Sequence, residues 1–164
     1  MDKELETLSA KIGGILAENG WTISTAESCT GGLLSHVLTG VSGSSSYFIG
    51  GVVAYSNRIK ESVLGVESKT LIKHGAVSQE TAIEMAAGIR EKFNTDFGLS
   101  TTGIAGPTGG TPEKPVGLVW MGISTPAGTR AFEGHFSGGR DGVKNSTVHE
   151  ILTQLSSVLT SKDD

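Results

Sequence analysis

The chain has 164 residues, a formal net charge of −4, 37% apolar residues and 24 glycines. That length suits one domain, 1–164, able to bury a real core, and the composition excludes a disordered chain. The acidic balance argues against a nucleic-acid coat or a membrane-surface role. No apolar run approaches the ~18 residues of a membrane helix, and the charged start Met1-Asp2-Lys3-Glu4 does not read as a secretory signal. The single cysteine, Cys29, excludes an intrachain disulfide and fits a reducing cytoplasm, the expected location.

In chain order, Leu5, Leu8, Ile12, Ile15 and Leu16 mark one face of a first helix, and Asn19-Gly20 is its stop. Trp21 to Ala26 reads as a strand, followed by an apolar helical segment, Leu33 to Leu38. Ile49 to Tyr55 is a continuous apolar and small-residue run, expected as a strand covered on both faces. Ser56 or Asn57 can cap a short helix through Leu64. Ser78 is the expected N-cap of a helix to about Asn94, with Ala82, Met85, Ala86, Ile89 and Phe93 facing inward. Phe97 to Thr102 reads as a buried strand. Val116 to Ser124 and Thr129 to Phe136 flank Pro126-Ala127-Gly128 as a hairpin. A last helix starts near Gly139 to Asp141 and carries Val148, Ile151, Leu152, Leu155, Val158 and Leu159; residues after Thr160 are expected to fray. Together these elements predict a three-layer α/β/α domain with a mixed sheet.

Three segments carry candidate chemistry. The first, Thr25-Ala26-Glu27-Ser28-Cys29-Thr30-Gly31-Gly32, breaks from a strand into a helix, a pattern that suits either an anion-binding corner or a simple capped turn. The second runs from Gly43-Ser44-Ser45-Ser46 through Gly50-Gly51-Val52-Val53-Ala54-Tyr55 to Lys60. The third is Thr101 to Pro112, where Gly103, Gly106, Gly109 and Gly110 allow close backbone approach and Thr102 and Thr108 offer hydroxyls. That segment reads as a ligand cradle or a long turn, and it lacks the Lys-Ser/Thr ending of a triphosphate loop. Amide hydrolysis needs a nucleophile, a base and oxyanion donors. Ser28, Cys29, Ser44, Ser45 and Ser46 are all possible nucleophiles. His36, His74, His135 and His149 are dispersed, so a serine–lysine pair using Lys60 is the better candidate, and no metal ligation is expected.

Together the three segments resemble the CinA C-terminal domain family, over about Leu5 to Leu159. The family's stand-alone members include nicotinamide mononucleotide (NMN) deamidases. Many relatives carry a further N-terminal domain, and its absence from this chain favours the stand-alone form. The resemblance implies a metal-independent and cofactor-free serine–lysine amidohydrolase. Its nucleophile would be Ser45 and its base Lys60, with Ser28 bridging them and Tyr55 as a fourth participant. It further implies substrate contacts at Glu27, Thr30, Gly31, Gly43, Thr102, Gly103, Ala105, Gly106, Thr108 and Arg140, with Arg140 on the phosphate. The expected partner is NMN, with no nucleic acid and no membrane, in a homodimer. The alternative is a non-catalytic nucleotide-binding module, or a partner module linked to competence or DNA damage.

Overall fold

The computed structural model describes residues 1–161; residues 162–164, on which most of the expected terminal fraying falls, lie outside the described residues. The first helix, α1 (Lys3–Asn19), starts at Asp2, whose carboxylate accepts from Glu4 N, and stops at Gly20 in the left-handed region, φ 66°. Strand β1 (Ile23–Glu27) leads to helix α2 (Leu33–Thr39), a single 3-10 turn at Ser44–Ser46, and strand β2 (Phe48–Val53). Helices α3 (Asn57–Ser62), α4 (Ser68–His74) and α5 (Gln79–Phe93) precede β3 (Phe97–Gly103). The hairpin β4 (Leu118–Thr125) and β5 (Gly128–His135) feeds the long helix α6 (Gly139–Thr160).

The five strands lie in the order β2-β1-β3-β4-β5, parallel from β2 to β3 and antiparallel beyond. Helix α5 packs on one face of the sheet, and α1, α2 and α6 cover the other, which gives the expected three-layer α/β/α domain. The larger core joins Ile12, Leu16, Ile23, Leu34, Leu99 and Met121 to Val148, Ile151 and Leu155. A smaller one gathers Ala26, Ala54, Leu64, Val66, Met85 and Ile89 under α3 and α5. The inward residues expected for α5 are its buried face, with Phe93 partly buried beside Gly50.

The expected doubly covered strand at Ile49 to Tyr55 is not found. β2 is an edge strand whose burial alternates, leaving Ile49 and Val53 about half exposed and Tyr55 63% exposed. The composition misled because its small residues serve another purpose. A Cβ at Gly51 would stand 2.2 Å from Thr25 Oγ1 and 2.8 Å from Ser35 Oγ, so glycine there makes room for the hydroxyls of β1 and α2. Helix α4 was not anticipated; it is one short element with no buried residue.

Candidate active site

The connections diverge at β1 and β2, which send the chain to opposite faces of the sheet. From β1 it runs through α2 to β2, and from β2 through α3, α4 and α5 across the other face to β3, on the far side of β1. In such sheets the crevice at the carboxyl end of the switch strand is the usual ligand site. Ser28 stands there, tied by its N–H to Thr101 O at 2.9 Å, with 8% of its surface exposed.

Lys60 reaches this point from α3. Ser56 caps that helix by accepting Ile59 N, which fixes where the helix leaves β2. The Lys60 ammonium nitrogen is 3.0 Å from Ser28 Oγ and 3.3 Å from Tyr55 O, and the residue is only 1% exposed. No carboxylate pairs with it among the described residues. Burial therefore draws its pKa below the ordinary lysine value, which favours the neutral amine that a general base requires. Tyr55 itself contributes only its carbonyl; its ring points into solvent.

Cys29, next to Ser28, is unsuited to nucleophilic attack. Burial, reinforced by the nearby Glu27 charge, pushes its thiol up to about 12, so it stays protonated.

Of the two readings of Thr25 to Gly32, an anion-binding corner or a capped turn, the donors at the start of α2 fit the second, because the chain's own Glu27 takes them. Glu27 is fully buried, and its carboxylate accepts from Leu34 N at 2.8 Å, Ser35 N at 3.0 Å, Ser35 Oγ at 2.7 Å and Thr30 Oγ1 at 2.7 Å. A buried carboxylate needs several donors, and the first turn of α2 has them to give. Thr30 is spent in the same way, bridging Glu27 to Thr101 Oγ1 at 2.7 Å. Both residues hold the loop in shape beneath Ser28.

The third segment lies at the same end of the sheet, since β3 runs parallel to β1 with Glu27 opposite Thr101. Its residues divide. Thr102 is buried and donates to Ala76 O at 2.7 Å, and a Cβ at Gly103 would meet Leu118 O at 2.7 Å, so both are used in packing. Ala105 and Gly106 are buried at the root of the loop, with Gly106 at φ 81°. Thr108 is exposed, and its hydroxyl has no hydrogen bond among the described residues. Lys114 ties the loop to α4 by donating to His74 O at 2.6 Å.

Arg140, in the first turn of α6, belongs to this end too, because β5 delivers the chain to it. It is exposed and forms no ion pair among the described residues; Glu133 is bonded to His135 instead. Lys144, one helical turn further along, was not singled out from the sequence. Its ammonium nitrogen is 3.6 Å from where a Cβ on Gly31 would stand. The usable signal was its spacing of four from Arg140.

Ser45 and Gly43 stand elsewhere. The 3-10 turn precedes β2, and Phe48 is opposite Ile23, so the turn lies at the amino end of the parallel strands. The six residues of β2 separate it from Ser28 by about 20 Å. Ser44 Oγ donates to Thr39 O and Ser46 Oγ to Gly43 O, whereas the exposed Ser45 hydroxyl is uncommitted. Within one chain, then, the fold joins Lys60 to Ser28 and holds Ser45 apart from both.

Among the described residues no three His, Cys, Asp or Glu side chains gather into a metal-binding group, and no helix is long and apolar enough to cross a membrane.

The chain is 58% identical over 118 residues to a CinA-like protein of Salinibacter ruber, covering 72% of this chain and 29% of the relative. It is 47% identical over 152 residues to a CinA-like protein of Acaryochloris marina, covering 92% and 36%. The chain thus spans about a third of the length of these curated relatives. Among solved structures, the competence/damage inducible protein CihA from Agrobacterium tumefaciens superposes with a TM-score of 0.95 at 39% identity, over 98% of both chains. The family model for the CinA C-terminal domain matches residues 5–159, and the protein belongs to that family.

Proposed function

We propose that this protein is a cytoplasmic amidohydrolase that converts nicotinamide mononucleotide to nicotinate mononucleotide and ammonia by a serine–lysine mechanism. The observation that carries the reading is the 3.0 Å contact between the buried Lys60 amine and Ser28 Oγ at the switch point of the sheet. A nucleotide sensor has no need of a desolvated lysine held against a hydroxyl; a proton-transfer pair does.

In this reading Ser45 acts as the nucleophile from a second copy of the chain. The exposed strip Ile49, Gly51 and Val53 on β2, with Tyr55 just past it, supports a two-fold contact centred near Gly51. Such an axis exchanges Ile49 with Val53, and brings the Ser45 turn of one copy beside Tyr55 and Lys60 of the other. Lys60 takes the proton of Ser28, which takes that of Ser45. The Ser45 oxygen attacks the carboxamide carbon while loop N–H groups stabilise the oxyanion. The proton returns to the departing ammonia, and water cleaves the acyl-enzyme through the same relay. Arg140 holds the phosphate, and the exposed Thr108 loop closes the nucleotide side.

The test is ammonia release from NMN by EDTA-treated protein, beside the Lys60→Ala variant. Release by the wild type and none by the variant is the expected result. NMN binding without release would instead establish a nucleotide-sensing module.

A further inference from the structure

Lys144 is a half-buried cation with nothing of opposite charge to meet. Among the described residues it forms neither an ion pair nor a hydrogen bond. It lies over the loop that carries Ser28, with its ammonium nitrogen 3.6 Å from where a Cβ on Gly31 would stand, an ordinary van der Waals contact. Gly31 has φ 58°, so the loop presents bare backbone to the lysine. Asp141, three residues before Lys144 on α6, forms no ion pair with it, and Glu27, in the loop beneath Ser28, has both oxygens saturated by four donors from α2 and Thr30. It moderates the local charge but has no lone pair aimed at an outside group.

Arg140 and Lys144 are four residues apart on α6, hence on one face of that helix. Arg140 is likewise unpaired. Two cations one turn apart are mutually repulsive, and partial burial of one makes the arrangement unfavourable unless an anion joins them. Cys29, one residue from Ser28, feels the charges of both Lys60 and Lys144, which puts this cation within electrostatic range of the proposed chemistry. Arg140 and Lys144 therefore offer a planar fork and a point charge one helical turn apart at the carboxyl end of the parallel strands, the donor pair that suits a phosphate monoester.

We propose that Lys144 is a specificity-determining residue that, with Arg140, grips the phosphate of a mononucleotide and so sets its preference over the dephosphorylated nucleoside. This rests on the mononucleotide reading above and adds a residue and a selectivity to it. Lys144 takes no part in proton transfer. Its loss should weaken binding and leave the chemical step alone.

Two measurements test it. In the first, calorimetry records NMN and inorganic phosphate binding to the wild type, Lys144→Gln and Lys144→Arg, with circular dichroism melts confirming that each variant folds. The glutamine variant should bind NMN about tenfold more weakly and lose phosphate binding, with partial recovery in the arginine variant. In the second, steady-state ammonia release should show KM for NMN raised about tenfold, kcat within about twofold, and nicotinamide riboside kinetics unchanged. Unaltered NMN binding by a folded Lys144→Gln protein overturns the proposal, as does equal weakening for the riboside. Lys144-dependent NMN binding by a wild type that releases no ammonia would uphold the phosphate grip while refuting the hydrolase reading.

Discussion

The amine of Lys60 and the hydroxyl of Ser28 meet at 3.0 Å although 32 residues separate them, because β1 and β2 run side by side and end together. Ser28 is the first residue past β1, and Lys60 is in the first helix past β2. The parallel pairing makes their meeting a consequence of register: Glu27 is opposite Val53, and one turn of α3 returns the lysine over the end of β1.

The pH dependence of activity should report this burial. Lys60 is drawn below its ordinary value of 10.5, so its neutral fraction grows as pH rises through the lowered value. The kcat/KM for NMN should climb with pH and level off below 10.5, and Lys60→Arg should be inactive at every pH. Stability moves the same way. The unfolded chain holds the lysine proton up to the ordinary value and the folded chain releases it earlier, so folding gains stability as pH rises through that window. A pH–rate profile with its limb at or above 10.5 contradicts the assignment.

Ser45 and Lys60 should complement each other in mixtures. Ser45→Ala and Lys60→Ala proteins, each inactive alone, should regain about a quarter of wild-type activity after subunit exchange, because half of the dimers become mixed and each mixed dimer holds one intact site. No recovery after exchange proven by mass spectrometry would return the nucleophilic role to Ser28.

Glu27→Gln should lower stability by about 2–3 kcal/mol, since one acceptor oxygen becomes an amide that confronts backbone donors of α2. Chemical denaturation reads the change, and a variant as stable as the wild type would show that the carboxylate charge is not needed at the start of α2.

Two glycine substitutions on helices should have opposite signs. At Gly88 a Cβ would stand 1.9 Å from Leu64 O, so Gly88→Ala forces α5 off the loop after α3, a loss of about 1–3 kcal/mol. Nothing lies within 4 Å of a Cβ at Gly14, and Gly14→Ala should gain about 0.5–1 kcal/mol from helix propensity. Melting temperatures of the pair test whether the Gly88–Leu64 approach is as close as described.

The sequence by itself determined most of the elements, α4 excepted. Periodicity in α1, α5 and α6, the stop at Gly20 and the caps at Ser56 and Ser78 are local signals, each set by residues within a turn or two of one another. It also marked Ser28 and Lys60, because their segments match a family. What it could not determine was which of those residues meet. That β2 is an edge strand, that Glu27 is occupied by α2, and that Ser45 stands at the far end of the sheet from Lys60 all follow from strand order and parallel direction. Those are set by long-range burial, and a linear motif lists polar residues without saying which are already bonded to one another. Only the packed chain decides that Glu27, Thr30 and Thr102 are spent internally while Lys60, Arg140 and Lys144 are left without a carboxylate partner among the described residues.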